Sequence, residues 1–216
     1  MFFNFKNPNT LWSIGNHDET SAKKFHAYTN KNKYHAYERD DVTFITLNSQ
    51  DSLSSIVGKQ KEFLFSVLDT LQTSSVLLMS HKLIFMNDHP VMDSKIKQVC
   101  NAHKGDCFYC HNPNNFQKEI YPKLLELKKE GKQVLWVGGD LGKRTSEFEY
   151  KDKAGIVFLG NGLWYKNNNN KVLLFSKQNN KALKYRFVHL DTLINKKKII
   201  LKYKLFVWKS SRVLTI

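Results

Sequence analysis

Residues 11–18 read LWSIGNHD: an apolar run stops at Gly15 and gives way to three polar residues. The pattern predicts a buried strand that enters a tight loop, and glycine permits the sharp turn. In the loop, Asn16 offers an amide oxygen that can bind a metal. His17 can act as an acid or a hydrogen-bond donor, and Asp18 can orient its imidazole. The competing interpretation is an asparagine-rich turn with a chance histidine, and the preceding apolar run argues against it.

The same arrangement recurs twice further along the chain. Val76–Met79 is a continuous apolar run that predicts a strand, and His81 follows it after one serine. Val134–Val137 predicts another strand, which runs through two glycines into Asp140. Ligands of open α/β sheets bind beyond the carboxyl ends of the strands. Three strand ends that lead into polar residues therefore predict a functional site.

The remaining pattern predicts one α/β domain over residues 1–195 and a basic C-terminal strand or tail over 196–216. The stretch Ile84–Asn115 is expected to be a long loop or insertion, and Asn167–Asn170 a hairpin tip. Further strands are expected at Val42–Leu47, Gly155–Leu159, Val172–Ser176 and Leu183–Leu190, and helices at Gln60–Leu71 and Ile120–Lys129.

The chain is strongly basic, with 34 Lys and Arg against 19 Asp and Glu and a formal net charge of +15. A surface of this charge attracts polyanions. Lysine is spread along the chain and is not gathered with aromatics in one stripe, so no specific nucleic-acid motif is found. No apolar run approaches membrane-spanning length and no signal peptide is recognised, so the chain as given is expected to be cytoplasmic.

The three cysteines, Cys100, Cys107 and Cys110, do not form a closed disulfide framework because their number is odd. The last two have the spacing of a zinc knuckle, and His103 and His111 lie nearby in the sequence, so a small structural zinc site is one interpretation. No second Cys-x-x-Cys pair exists. Free thiols or one disulfide are therefore the preferred interpretation.

The loop Gly15-Asn16-His17-Asp18 resembles the third signature of the calcineurin-like metallophosphoesterases. The signatures of this family run in the order Asp-x-His, Gly-Asp, Gly-Asn-His-Asp/Glu, a lone His after a strand, and Gly-His-x-His. His81 matches the lone histidine in both position and order. The resemblance covers about residues 11–190. It implies a layered α-β-β-α sandwich and an enzyme that hydrolyses phosphate esters.

The chain departs from this family in two places. Where Gly-His-x-His is expected, it has Gly138-Gly139-Asp140, so Asp140 is the candidate replacement for a histidine ligand, with a simple glycine turn as the alternative. The fourteen residues before Gly15 contain no Asp and no His, so the first two signatures are absent. We therefore expect a sandwich that is incomplete at its N-terminal edge, from a truncated or degenerate member.

The resemblance also implies a set of roles. Asn16, His81 and Asp140 would bind divalent metal, either Mn, Fe or Zn, and a complete member of the family holds two ions. His17 would protonate the leaving group or stabilise its charge, and Asp18 would hold the ring of His17 in place. The substrate would be a phosphorylated molecule. The sequence identifies neither that molecule, nor the residues that bind it, nor the oligomeric state.

Four further residues are weaker candidates. Lys143 and Arg144 follow the Asp140 loop and could attract an anionic substrate. Asp88 and His89 could reach a metal or the substrate. For all four, an ordinary surface loop is the preferred interpretation.

Three functions remain open from the sequence. The first is a metal-dependent phosphoesterase whose start has been lost. The second is a degenerate relative that binds a partner or a phosphate and catalyses nothing. The third is an unrelated basic α/β domain that binds nucleic acid, which predicts binding that falls steeply with salt.

Overall fold

The computed structural model describes residues 6–16, 18, 21–101, 113–178 and 181–191. Its strands are β1 (His35–Arg39), β2 (Val42–Thr46), β3 (Ser75–Ser80), β4 (Gln133–Gly138), β5 (Glu147–Lys151), β6 (Val157–Asn161), β7 (Lys171–Ser176) and β8 (Lys184–His189). Its helices are α1 (Ala22–Thr29), α2 (Gly58–Asp69), α3 (Ile96–Val99) and α4 (Tyr121–Lys129). The α/β class expected from the sequence is confirmed. No helix in the described ranges is both long and apolar enough to cross a membrane.

Six strands form one mixed sheet in the order β1-β2-β3-β4-β6-β5. The four inner strands run parallel, and β1 and β5 pair antiparallel at the two edges. The inner strands are nearly continuous apolar runs, as expected where both faces of a sheet are covered. Because parallel strands end on the same side, the loops after β2, β3, β4 and β6 lie along one edge of the sheet.

The two faces of this sheet are covered by different elements. On one face, which we call the helix face, Leu64 of α2 and Leu124 of α4 belong to the same buried cluster as Trp136 of β4. On the other, the hairpin face, Leu135 of β4 clusters with Leu173 of β7. Successive residues of β4 alternate between the two clusters because side chains alternate across a strand.

Side-chain amides attach the hairpin β7–β8 to the main sheet. Oε1 of Gln133 accepts the Leu183 N–H at 2.7 Å, and its Nε2 donates to the Leu183 carbonyl at 2.8 Å. Further along, Nδ2 of Asn161 donates to the Lys171 carbonyl at 2.9 Å, and its Oδ1 accepts the Leu173 N–H at 3.2 Å. Because a two-stranded hairpin is marginally stable alone, these bonds and the burial of Leu173 keep it on the sheet.

The strand predicted at residues 11–14 is not formed. Leu11 and Ile14 are buried, as the pattern indicated, but the segment makes no ladder. The Trp12 N–H donates instead to Nε2 of His35 on β1, at 3.4 Å. The prediction is wrong because an apolar run indicates burial and does not by itself indicate a strand, and this segment is buried without strand geometry.

Two predicted loops also differ from the structure. The described part of Ile84–Asn115 contains the short helix α3 and places Phe85 and Ile96 fully in the core, although other residues of the segment are exposed. Asn167–Asn170 is not a hairpin tip, because it joins β6 to β7 and those strands do not pair with each other. The sequence pattern also missed β5, since Glu147–Lys151 alternates charged and aromatic residues at a sheet edge.

Candidate active site

The segment 11–16 and the loops after β3 and β4 meet at the carboxyl edge of the sheet. His81 follows β3, and its Nε2 lies 3.1 Å from Oδ1 of Asn16. The same nitrogen lies 3.9 Å from Oδ1 of Asp140, which follows β4. The structure therefore brings together the three residues that the sequence predicted as metal ligands.

Two glycines allow the backbone to approach the imidazole of His81. A Cβ atom at Gly15 would lie 2.9 Å from the ring, and one at Gly139 would lie 3.4 Å from its Nδ1. The carboxylate of Asp18 turns back on the loop, where Oδ2 accepts the Gly15 N–H at 2.7 Å. Asp18 thus closes the turn that presents Asn16. The remaining predicted site residue, His17, lies outside the described residues.

The loop that carries Asp140 is held on two sides. Asp140 has a left-handed backbone with φ 58°, a conformation that aspartate adopts more readily than most residues. The N–H of Asn101 donates to the Asp140 carbonyl at 3.0 Å. On the other side the loop touches the segment after β6, where a Cβ atom at Gly142 would come within 2.7 Å of the Leu163 carbonyl carbon. The position of Asp140 is therefore fixed by backbone contacts.

Lys82 is a residue next to the site that the sequence did not single out. It is only 4% exposed, and its Nζ donates to Oγ of Ser54 at 3.1 Å. Its backbone N–H donates to Oγ of Ser49 at 3.0 Å. Burial lowers the pKa of the Lys82 ammonium, and the nearby negative charge of Asp140 opposes that shift. Its place directly after the strand-end histidine was the one available sequence signal.

A cavity of about 270 Å³ opens beside His81 on the hairpin face. Its walls come from the ends of β3 and β4, from β7 and from the segment after β6. The apolar side chains that line it are Met79, Val137, Leu163, Val172, Leu173 and Phe175. The cavity therefore joins the candidate site to the space between the main sheet and the hairpin.

His89 has a structural environment. It is 6% exposed, and its Nδ1 accepts the backbone N–H groups of Val91 and Met92, each at 3.1 Å. Its ring lies edge-on to Tyr150, with centroids 5.2 Å apart. Burial lowers the pKa of this imidazole. The expectation that His89 is a surface-loop residue is wrong, and these bonds explain its burial. Asp88 is exposed, as expected.

Arg144 and Lys143 support the Asp140 loop. The guanidinium of Arg144 donates to the Cys100 carbonyl, and the Lys143 N–H donates to Oδ1 of Asn101 at 2.8 Å. Cys100 is buried and disulfide-bonded, which agrees with the expectation of one disulfide. The predicted zinc knuckle at Cys107, Cys110, His103 and His111 lies outside the described residues.

The three convergent donors fit part of the coordination shell of one cation. Nitrogen and oxygen ligands lie about 2.0–2.2 Å from a transition-metal dication, so two atoms on the same ion are at most about 4.4 Å apart. The 3.1 Å and 3.9 Å separations from His81 satisfy this limit. In the described ranges, however, no three His, Cys, Asp or Glu side chains form a group that could hold a metal ion. The described residues do not supply a two-metal centre.

No protein-family model matches this chain, and no curated protein matches it. The crystal structure of a dimetal phosphatase from Danio rerio is similar to it, with a TM-score of 0.33 and 10% sequence identity. The match covers 73% of this chain and 55% of that chain, so this chain spans little more than half the length of its neighbour. At this TM-score and identity the similarity supports no conclusion about fold or function.

Proposed function

We propose that this chain is a metallophosphoesterase-like domain that hydrolyses phosphoesters with a divalent cation held by Asn16, His81 and Asp140. The proposal rests on the proximity of two oxygen atoms, Oδ1 of Asn16 at 3.1 Å and Oδ1 of Asp140 at 3.9 Å, to Nε2 of His81. An imidazole, a carboxylate and an amide oxygen together suit Mn, Fe or Zn. The layered α-β-β-α sandwich and the division into residues 1–195 and 196–216 belong to the same proposal.

The roles of the protein groups follow from their chemistry. A bound dication stabilises charge on phosphate oxygens and lowers the pKa of water. Asp140 supplies a negative charge to that cation, and Asn16 and His81 supply neutral donors. His17 stands next to Asn16 in the chain. As a water oxygen bonds to phosphorus, releases its proton to solvent and the ester P–O bond breaks, His17 would donate a proton to the leaving-group oxygen, with Asp18 as its supporting carboxylate.

A second candidate function is binding of a phosphorylated ligand without turnover. It is favoured by the donor set, because the described residues supply only one partial shell and a partial shell binds metal weakly. The two candidates share the same residues and differ in whether a phosphate ester is cleaved.

The test is Mn²⁺ binding measured by calorimetry, together with Mn²⁺-dependent hydrolysis of 4-nitrophenyl phosphate and bis(4-nitrophenyl) phosphate. Asp140→Asn removes the charged ligand and should weaken Mn²⁺ binding at least as much as the roughly 10- to 100-fold typical of residues that only support a ligand, and it should remove hydrolysis. The matched control is Asp88→Asn, because Asp88 is exposed and has nearly the same left-handed backbone, φ 57°. Asparagine tolerates that backbone, so neither change should unfold the chain.

Three results separate the candidates. Hydrolysis that needs Mn²⁺ and is lost in Asp140→Asn and His81→Ala, but kept in Asp88→Asn, supports the enzyme. Mn²⁺ or phosphate binding with the same pattern and no hydrolysis supports the binding module. Metal binding that none of the three site substitutions at Asn16, His81 and Asp140 weakens would overturn both.

A further inference from the structure

The walls of the cavity beside His81 are mainly apolar. Met79 and Val137 line it from the main sheet, and Leu173 and Phe175 line it from the hairpin. Apolar walls of this type favour an apolar guest, because the guest leaves water without losing hydrogen bonds. A polar guest would need partners inside the cavity.

Two of the polar side chains that line the cavity, those of Asn161 and Ser80, are already engaged. The amide of Asn161 bonds the backbone of Ser146, Lys171 and Leu173. Oγ of Ser80 donates to the Lys82 carbonyl at 2.8 Å and accepts from Nε1 of Trp136 at 2.9 Å. A sugar or polyol in this space would leave its hydroxyl groups poorly bonded, at a cost in binding free energy.

The size of the cavity limits the guest further. An apolar protein cavity of about 150 Å³ is enough to bind benzene. The cavity beside His81 has about 270 Å³, which suits a substituted ring or two fused rings.

The mouth of the cavity is apolar and held in place. Leu163 lines it and is 45% exposed. The backbone of Leu163 contacts Gly142 so closely that a Cβ atom there would not fit. The next residue is held as well, since the Trp164 N–H donates to Oδ1 of Asn170 at 3.0 Å, and Nδ2 of Asn170 donates to the Trp164 carbonyl at 2.8 Å. The backbone of Leu163 is therefore held in place, and its apolar side chain forms one edge of the cavity mouth, which we call the lip.

We propose that this cavity binds the aromatic group of an aryl phosphoester whose phosphate lies at His81. The proposal rests on the proposed function for the position of the phosphate. The aromatic class itself rests on the walls, the engaged polar groups and the volume. The substrates it selects are therefore aryl phosphates with one or two rings, ahead of sugar or glycerol phosphates.

The test uses 2-naphthol, which carries the ring system and no phosphate, so it reports on the cavity without metal or turnover. Binding is measured by calorimetry. Leu163→Asp places a charge at the lip and should weaken binding roughly tenfold or more. The matched control is Leu53→Asp, because Leu53 is a leucine that is 69% exposed and does not line the cavity. Ser13→Phe, which fills the cavity from the segment before Gly15, is the second variant.

Naphthol binding that is weakened by Leu163→Asp and Ser13→Phe but not by Leu53→Asp supports the aromatic site. No binding, or binding that these variants do not change, overturns it, provided that thermal melts show folded variants. The phosphate part is tested with 2-naphthyl phosphate and glycerol phosphate in the presence of Mn²⁺. If naphthol binds in the cavity and neither ester is cleaved or bound at His81, the proposed function fails while the aromatic site stands. If glycerol phosphate is cleaved as well as the naphthyl ester, the aromatic selectivity is overturned while the proposed function stands.

Discussion

The helix face and the hairpin face of the central sheet are built from alternate residues of the same strands, yet they are packed in different ways. On the helix face, the rings of Phe85, Phe116 and Phe158 lie with centroids 5.0–6.3 Å apart in a fully buried cluster. On the hairpin face, Phe175 is only partly buried and borders the 270 Å³ cavity.

The difference indicates that the two faces have different tasks. Dense packing of aromatic rings supplies stability, because each buried ring contributes both area and specific ring contacts. An apolar cavity removes those contacts and lowers stability, but it leaves space for a ligand. The candidate site lies between tightly packed structure and open space, because His81 follows the end of a buried strand and also lines the cavity.

The largest effect is expected from the same truncation on each face. Phe85→Ala should lower the free energy of unfolding by about 3–5 kcal/mol, because it removes a fully buried ring. Phe175→Ala should cost about 1–2 kcal/mol, since that side chain is only partly buried and already borders a void. Urea denaturation of both variants measures the difference. Equal losses would mean that the hairpin face is packed as tightly as the helix face.

The next largest effect is a loss of stability at low pH. It involves His35, which bonds the segment that carries Asn16. Burial lowers the pKa of His35 from 6.5 to about 4, with the Lys31 charge adding to the shift and a bond to the Asn32 carbonyl opposing it. That carbonyl only accepts, so Nδ1 donates to it and the neutral Nε2 accepts the Trp12 N–H. Protonation of Nε2 abolishes this acceptor.

The direction in which pH changes the stability follows from the lowered pKa of His35. The fold favours neutral His35, so its contribution is complete above about pH 6.5 and is lost as the pH falls towards 4. The loss should reach up to about 3 kcal/mol. His35→Gln should flatten this part of the stability–pH curve, whereas the matched change at the exposed His189 should not. A wild-type curve that is flat between pH 6.5 and 4 would contradict the assignment.

The sequence predicted elements on both faces of the sheet. The inner strands β2, β3 and β4 are short apolar runs, helices α2 and α4 have apolar residues at helical spacing, and the hairpin strands were expected at Val172–Ser176 and Leu183–Leu190, within one residue of the observed bounds of β7 and β8. The error at residues 11–14 has a physical cause. Whether an apolar segment becomes a strand depends on distant partners, which a local pattern does not contain.

The candidate site was predicted in part for the same reason. His81 and Asp140 follow apolar strands, and parallel strands bring their carboxyl ends together, so their proximity could be predicted from the pattern alone. The buried bond from Lys82 to Ser54 could not, because a lysine in a polar loop reads as exposed. The cavity could not be predicted from the sequence either, because it depends on how the hairpin β7–β8 packs on the main sheet.

The smallest expected effect comes from removing side-chain bonds that attach the hairpin β7–β8 to the main sheet. Gln133 and Gln60 each use a side-chain amide to bond both backbone groups of one residue. Gln133 bonds Leu183 beside the hairpin, and Gln60 of α2 bonds Asn48 after β2, with its donor at 3.0 Å and its acceptor at 2.7 Å. Each Gln→Met variant keeps a similar volume and loses these bonds, so each should cost about 1–2 kcal/mol.

The two variants should destabilise different parts of the chain, because a segment opens more often when its own contacts are removed. In Gln133→Met the backbone amides of β7, such as that of Leu174, should exchange with deuterium faster than those of β3. In Gln60→Met the β7 amides should keep their wild-type protection relative to β3, although the global free energy falls by a similar amount. Hydrogen exchange followed by mass spectrometry separates the two patterns. If β7 exchanges equally in both variants, the hairpin is held by burial of Leu173 and its neighbours, and the two faces are coupled more tightly than their packing indicates.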